Sequence, residues 1–367
     1  MKNIPLIKPY VTEEVKSRVC QVLESGYLTE GSVTRDLEEA MKVFIGCNYA
    51  IAVCNCTVGL EVALRSLGVG PGDEVIVPDY TYPATASVVE IVGAKIVIVD
   101  VDPRNMLINY EQIEKAITPN TKAIVPVSIF GNPLDYEILK ELKQKYGFYI
   151  LEDAACSLGA CYKDKMVGNL ADISVFSLHP RKFITTGEGG IITTNNCDCA
   201  KWIQSYKHFG MENSSARAST HFGQTGTNYK LSNVQAAIGV AQMKHVKALL
   251  NTRIELAMRY TEALSNHRDI GFPSVTPGGL HSYQSYCIFV SNRDSVIRAL
   301  KERGIETQVG TYALHMHRAF YDNPNCEIRG EMTGSSYAFH HCLTLPLYHD
   351  MRKEDQDYVI QELLNAL

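Results

Sequence analysis

Apolar and polar positions along this chain follow two periods, and the switches between them mark its elements. From Thr12 to Ser25, Val15, Val19, Val22 and Leu23 recur at helical spacing, with Thr12 placed to cap the start and Gly26 to stop the end. Ser32 to Phe44 repeats that logic. Tyr49 to Val53 is short and apolar, a buried strand that runs through Asn55-Cys-Thr57 into a helix over Val58 to Leu67. The alternation then continues. Strands are predicted at Val75 to Val77, Ala94 to Val99, Ala123 to Val127 and Phe148 to Asp153. Helices fall between them, ending at Val92 and covering Tyr110 to Ile117 and Leu134 to Tyr146. Strand and helix in regular exchange predict an α/β fold: a mostly parallel, doubly wound sheet with helices on both faces.

Further along the pattern changes. Ala200 to Lys207 and Val234 to Met243 read as helices, and the polar, Gly/Ser-rich stretch from His208 to Thr225 reads as an extended loop. His245 to Ser265 is a long helix suited to a hinge. Beyond it come a strand at Tyr286 to Val290, a helix from Arg293 to Arg303 and short strands at Glu306 to Gly310 and Cys342 to Leu347. A last helix covers Lys353 to Leu364. The expected division is a large domain over residues 1–245 and a small α+β domain over 246–367.

Two stretches carry chemistry. The strand at Phe148 ends in Glu152-Asp153, and a carboxylate at the C-terminal end of a strand sits where open α/β sheets bind ligands. Some thirty residues on, a buried strand passes through Ser177, His179 and Pro180 to Lys182, then into Gly187-Glu-Gly-Gly190 and a second β-branched strand. A lysine between core strands is expected to be partly buried. Burial depresses an amine's pKa, and a neutral amine attacks a carbonyl to form a Schiff base. An acid and such a lysine together suit pyridoxal phosphate: the acid keeps the pyridine nitrogen protonated while the lysine holds the aldehyde.

The motifs E-D-A-A-x-S-L-G-A at 152–160, S-x-H-P-x-K-x-x-T-T-G-E-G-G at 177–190 and G-x-N-Y-K-L-S-N-x-Q-A-A-I-G at 226–239 resemble those of the DegT/StrS sugar aminotransferases, which are fold-type I pyridoxal phosphate enzymes. The resemblance spans nearly the whole chain. It implies amination of a keto group on a nucleotide-linked sugar, at C3 or C4, with L-glutamate as donor, in a homodimer that shares its active sites. Lys182 would carry the cofactor and move the proton, and Asp153 would face the pyridinium. Thr57, Ser177 and Asn228 would hold the phosphate, Asn228 reaching it from the neighbouring subunit. Thr57 could serve as a helix cap as well, or as a cap alone. Tyr82 matches an aromatic that faces the cofactor, though an exposed or a core tyrosine fits the sequence as well. His179 is read either as a proton-handling group or as a structural histidine, and Tyr312 and His315 fall in a segment near the substrate.

The chain departs from the family's pattern at three places. Cys56 replaces a glycine beside the phosphate, Cys156 a glutamine at the cofactor's ring oxygen, and Lys230 an arginine. A thiol is a poor donor, and Lys does not reproduce a planar bidentate contact.

Composition narrows the picture. The 367 residues are 46% hydrophobic and 20% charged, with net charge −5 and no basic run that would suit nucleic acid or an anionic membrane. Met-Lys-Asn-Ile-Pro-Leu lacks the apolar core of a signal peptide, so a cytoplasmic location is expected. The eleven cysteines are scattered, and neither Cys54/Cys56 nor Cys197/Cys199 has zinc-site spacing, so no metal is expected.

Overall fold

The computed structural model describes residues 2–213 and 217–367. Helices α1 (Glu13–Ser25) and α2 (Ser32–Ile45) open the chain, and Thr12 Oγ1 caps α1 by accepting from the Val15 N–H. Eight strands form the principal sheet: β1 (Tyr49–Val53), β2 (Glu74–Pro78), β3 (Lys95–Val99), β4 (Thr121–Ile124), β5 (Tyr149–Asp153), β6 (Ile173–Ser177), β7 (Gly190–Thr194) and β8 (Cys326–Arg329). Their spatial order is β1-β7-β6-β5-β4-β2-β3-β8. Only β7 runs against its neighbours, and every other contact is parallel.

Strand alternation supplies both faces with apolar side chains. Val75 and Val77 of β2 pack with Leu60 and Leu64 of α3 (Cys56–Ser66), Val88 and Val89 of α4 (Ala84–Ile91) and Ile203 of α7 (Cys197–Tyr206). Ile76 points the other way, into a core with Met41 of α2, Ile113 of α5 (Tyr110–Ala116), Leu139 of α6 (Tyr136–Tyr146) and Ala236 of α8 (Asn233–Met243). Near-continuous apolar strands are what a sheet covered on both faces requires. The parallel strands all present their carboxyl ends on one side, so Asp79, Asp153 and Ser177 come out together at that edge.

A separate core lies around Tyr260 and Leu264 of α9 (Val246–Leu264), with Ile288, Val296, Leu343 and Val359. Its antiparallel sheet runs Ile270–Gly271, Tyr286–Val290, Cys342–Leu345, Gln308–Val309. Several contacts cross the expected division at 245/246, among them the pairing of Gly279–Leu280 with Cys161–Tyr162. Strand β8 joins the edge of the principal sheet, and Tyr312–Ala313 pairs with Tyr80–Thr81. Ile4 bridges to Ile305 and packs into the smaller core. The expected loop at 208–225 contains a short antiparallel pair, Met211–Asn213 with His221–Phe222; residues 214–216 of it lie outside the described residues.

Candidate active site

Successive side chains of a strand point to opposite faces, and β5 uses this to separate its two carboxylates. Glu152 accepts hydrogen bonds from Ser128, from the Tyr136 hydroxyl at 2.6 Å and from Ser174 Oγ at 2.9 Å, and so is saturated within the core. Asp153 accepts only from Thr85 Oγ1 at 2.7 Å and the Ala155 N–H at 3.1 Å, and is 5% exposed. Burial lifts its pKa above the usual carboxylate range, opposed by those two hydrogen bonds and the charge of Lys182. Among the described residues no cation is ion-paired with it. Glu152 is a structural acid; Asp153 still needs a positive partner.

Lys182 follows β6 in a tightly held loop. Its N–H donates to the His179 carbonyl at 2.8 Å, while Thr185 Oγ1 donates to Leu178 O at 2.8 Å. Gln284, from the smaller core, clasps both flanks: its Nε2 donates to Arg181 O at 2.7 Å and its Oε1 accepts from the Phe183 N–H at 3.2 Å. The half-buried Lys182 Nζ donates to Cys156 Sγ at 3.0 Å. The expected depression of this amine is not what the structure shows. Burial does pull it down, but Cys156, Cys56 and Asp153 together outweigh burial and hold the free lysine above its ordinary range. A cation paired with Asp153 would remove part of that hold.

The helix at the front of the site begins two residues earlier than its apolar pattern suggests. Asn55 Oδ1 accepts from the Val58 N–H at 2.9 Å, so Asn55 is the cap and Thr57 lies inside the first turn of α3. The Thr57 hydroxyl makes no hydrogen bond to another described residue, and the Cys56 and Thr57 amides have no intrahelical partner. Gly190 passes this turn so closely that a Cβ there would lie 2.7 Å from Asn55 O and 2.9 Å from Cys56 N. Cys56 itself turns its thiol to the Val175 carbonyl at 3.8 Å, and burial pushes that thiol well up. The half-buried Ser177 Oγ accepts from the His179 N–H at 3.3 Å.

A second group lies alongside. Pairing of Tyr312–Ala313 with Tyr80–Thr81 brings Tyr312 to Tyr82, ring centroids 6.3 Å apart, and Tyr82 is 65% exposed. His315 is fixed by fully buried Asp79, which accepts from its backbone N–H at 2.7 Å and pairs with Nδ1. His179 accepts the Arg181 N–H at Nδ1, 3.2 Å away; burial lowers its pKa while Glu188, 4.0 Å from Nε2, opposes. Asn228 stands apart: it is exposed, its Oδ1 takes a 2.6 Å hydrogen bond from Lys230, and no contact within the chain joins it to Asp153 or Lys182.

Sequence reasoning missed Thr85, Gln284 and Asp79. Only Thr85 left a signal, in its place one turn beyond Tyr82. Thr85→Val is expected to raise the Asp153 pKa further, because the lost hydroxyl favoured the charged form. The acid limb of the pH–rate profile then moves to higher pH, with a loss of about 1.5–3 kcal/mol for a hydrogen bond to a charged acceptor. An unmoved limb in the pH–rate profile would leave Thr85 a purely structural role.

The donor set fits pyridoxal phosphate. It offers a buried acid lacking a cation, a lysine within reach of that acid's charge, and free amides at a helix start narrowed by a glycine. The model of the DegT/DnrJ/EryC1/StrS aminotransferase family matches residues 9–364. The spore coat polysaccharide biosynthesis protein SpsC of Bacillus subtilis is 32% identical, over 98% of this chain and 95% of its own. The putative sugar aminotransferase Spr1654 of Streptococcus pneumoniae in its PLP form superposes with a TM-score of 0.92 at 30% identity, over all of both chains, and is also known in a PMP form. Helicobacter pylori PseC, an aminotransferase involved in pseudoaminic acid biosynthesis, superposes with a TM-score of 0.93 at 25% identity over 100% of this chain and 99% of that one. The chain therefore belongs to the DegT/DnrJ/EryC1/StrS aminotransferase family and is a fold-type I, pyridoxal-phosphate-dependent sugar aminotransferase.

Proposed function

We propose that this enzyme replaces the keto oxygen of a nucleotide-linked sugar by an amine, taking the nitrogen from L-glutamate. The observation that carries the reading is the convergence of Asp153, Lys182 and the start of α3 on one side of the sheet. When bound, pyridoxal phosphate supplies an electron sink for the carbon that loses or gains a proton. Lys182 Nζ holds the cofactor between turnovers and, once freed, carries that proton. Asp153 pairs with the pyridinium. That pairing takes away part of the negative charge holding Lys182 protonated, so burial then favours the neutral amine that both tasks need.

Thr57, the amides of Cys56 and Thr57, and Ser177 are assigned to the phosphate, where a helix start favours an anion. Asn228 is exposed and makes no hydrogen bond to Asp153, Lys182 or the start of α3, which supports its assignment to the partner subunit's phosphate in a homodimer. Cys156 replaces a side-chain amide at the ring oxygen. The exposed Tyr82 and Tyr312, with His315 fixed by Asp79, are assigned to the cofactor and sugar, and His179 to the sugar. The alternative is a sugar dehydratase of the same fold, in which a histidine replaces the lysine, and Lys182 disfavours it. The division into domains over 1–245 and 246–367, and a cytoplasmic location, belong to the same proposal; no helix among the described residues is long and apolar enough to cross a membrane.

The test is spectroscopic. L-Glutamate alone is expected to bleach the visible band of the purified enzyme, and a nucleoside-diphosphate-linked keto-sugar to restore it. No response to glutamate would remove it as donor. Restoration by the free keto-sugar at equal concentration would remove the nucleotide from the recognition.

A further inference from the structure

Cys156 lies three residues beyond the end of β5, and its sulfur is the acceptor for Lys182 Nζ at 3.0 Å. Among the described residues it is the one cysteine hydrogen-bonded to a lysine. Both side chains are half-buried, so a small solute can reach them once no ligand covers the site. An adjacent ammonium is the electropositive setting in which cysteines are oxidised selectively. The other thiol nearby, Cys56, is directed at the Val175 carbonyl on β6 and is not in hydrogen-bond contact with Cys156. The nucleophile positioned to trap an oxidised Cys156 is therefore an amine, and it is the amine that holds the cofactor.

We propose that Cys156 and Lys182 form an oxidation site, at which a peroxide turns their hydrogen bond into a covalent sulfur–nitrogen link and blocks cofactor attachment. The Cys156 thiolate attacks one oxygen of hydrogen peroxide. The O–O bond breaks, hydroxide leaves, and the sulfur is oxidised by two electrons to a sulfenic acid. That hydroxide takes a proton from the adjacent Lys182 ammonium and becomes water, which leaves Lys182 as the free amine. That amine attacks sulfur: the S–N bond forms, the S–O bond breaks, and the oxygen departs as water with one amine hydrogen. In total one peroxide becomes two waters and the protein loses two hydrogens. A dithiol reductant reverses the link by attacking the same sulfur. Cofactor already attached to Lys182 occupies the amine and protects the pair, so the device acts on enzyme awaiting its cofactor.

The full-length protein, prepared with and without pyridoxal phosphate, is treated with hydrogen peroxide and digested without reductant for peptide mapping by mass spectrometry. The cofactor-free sample is expected to yield one linked pair of peptides, containing Cys156 and Lys182 and lighter than their sum by two hydrogens. The visible band that forms when pyridoxal phosphate attaches to Lys182 is lost in the same sample and regained after dithiothreitol. The loaded sample shows no link. Cys56→Ser is expected to leave the link in place, and fragmentation of the wild-type pair identifies the joined residues even if that variant does not fold. The proposal fails if Lys182 is recovered unlinked while Cys156 is unmodified, sulfinic, or disulfide-bonded to Cys56. None of these readings depends on which sugar the enzyme aminates.

Discussion

Replacing Lys182 by alanine is expected to lower kcat for amine transfer by about four orders of magnitude, the upper range for a residue that serves in proton transfer, before its loss as the covalent anchor is counted. The structure gives this position two tasks that no neighbour can assume. His179 is half-buried and turned by its Nδ1 to the Arg181 amide, and Lys230 is engaged with Asn228. The variant should still take up pyridoxal phosphate, because Asp153 and the α3 amides remain, but with the spectrum of the free aldehyde. Small primary amines added to the assay should restore part of the rate, since they can enter the space left by the side chain. Stability should change little, because a half-buried ammonium costs solvation energy that its contacts only partly return. An alanine variant retaining more than about a hundredth of the wild-type rate would contradict the assignment of Lys182 as proton carrier.

How far the sequence could be read depended on the range of the interactions. Helices α1 to α6 and strands β1 to β6 are encoded by patterns within a dozen residues, and each lies within a few residues of its expected place. Strand β8 has no such pattern. Its four residues are all half-buried, and it is a strand only because β3 offers an open parallel edge. The same limit applies to the site. Asp153 ends β5 and Lys182 follows β6, and these two strands are parallel neighbours in the sheet, so local pattern and order bring them together. Gln284 grips the loop around Lys182 from a segment about a hundred residues later, and Asp79 fixes His315 across a gap of 236 residues. Neither contact leaves a mark on local periodicity. The Lys182 pKa shows why burial alone is an insufficient guide. The side chain is removed from water as expected, but its neighbours Cys156, Cys56 and Asp153 reverse the sign. Two of those neighbours are the cysteines that depart from the family's pattern.

Asp153→Asn separates stability from catalysis more sharply than any other substitution. Asn keeps the shape: its Oδ1 can still accept from the Ala155 amide and its Nδ2 can donate to the Thr85 hydroxyl, but it carries no charge. Without a charge at the pyridine nitrogen the electron sink is lost, and kcat is expected to fall by about 10²–10³, the effect of deleting one preorganised electrostatic partner. Stability of the cofactor-free protein should move the other way. The native carboxyl has its pKa raised by burial, so the folded state binds the Asp153 proton more tightly than the unfolded state does. The stability this group contributes is therefore complete below the unfolded pKa and is lost as pH rises through the folded one. At neutral pH the wild type bears the cost of a buried unpaired anion, and the Asn variant does not. The variant should melt higher than the wild type near pH 7, and the difference should shrink as pH falls through the ordinary carboxylate range. Adding pyridoxal phosphate should invert the order, because the wild-type anion gains its cation and the amide gains nothing comparable. Thermal melts of both proteins at two pH values, with and without cofactor, resolve all of these effects. A cofactor-induced rise in Tm as large for Asn as for Asp would show that Asp153 does not face the pyridinium.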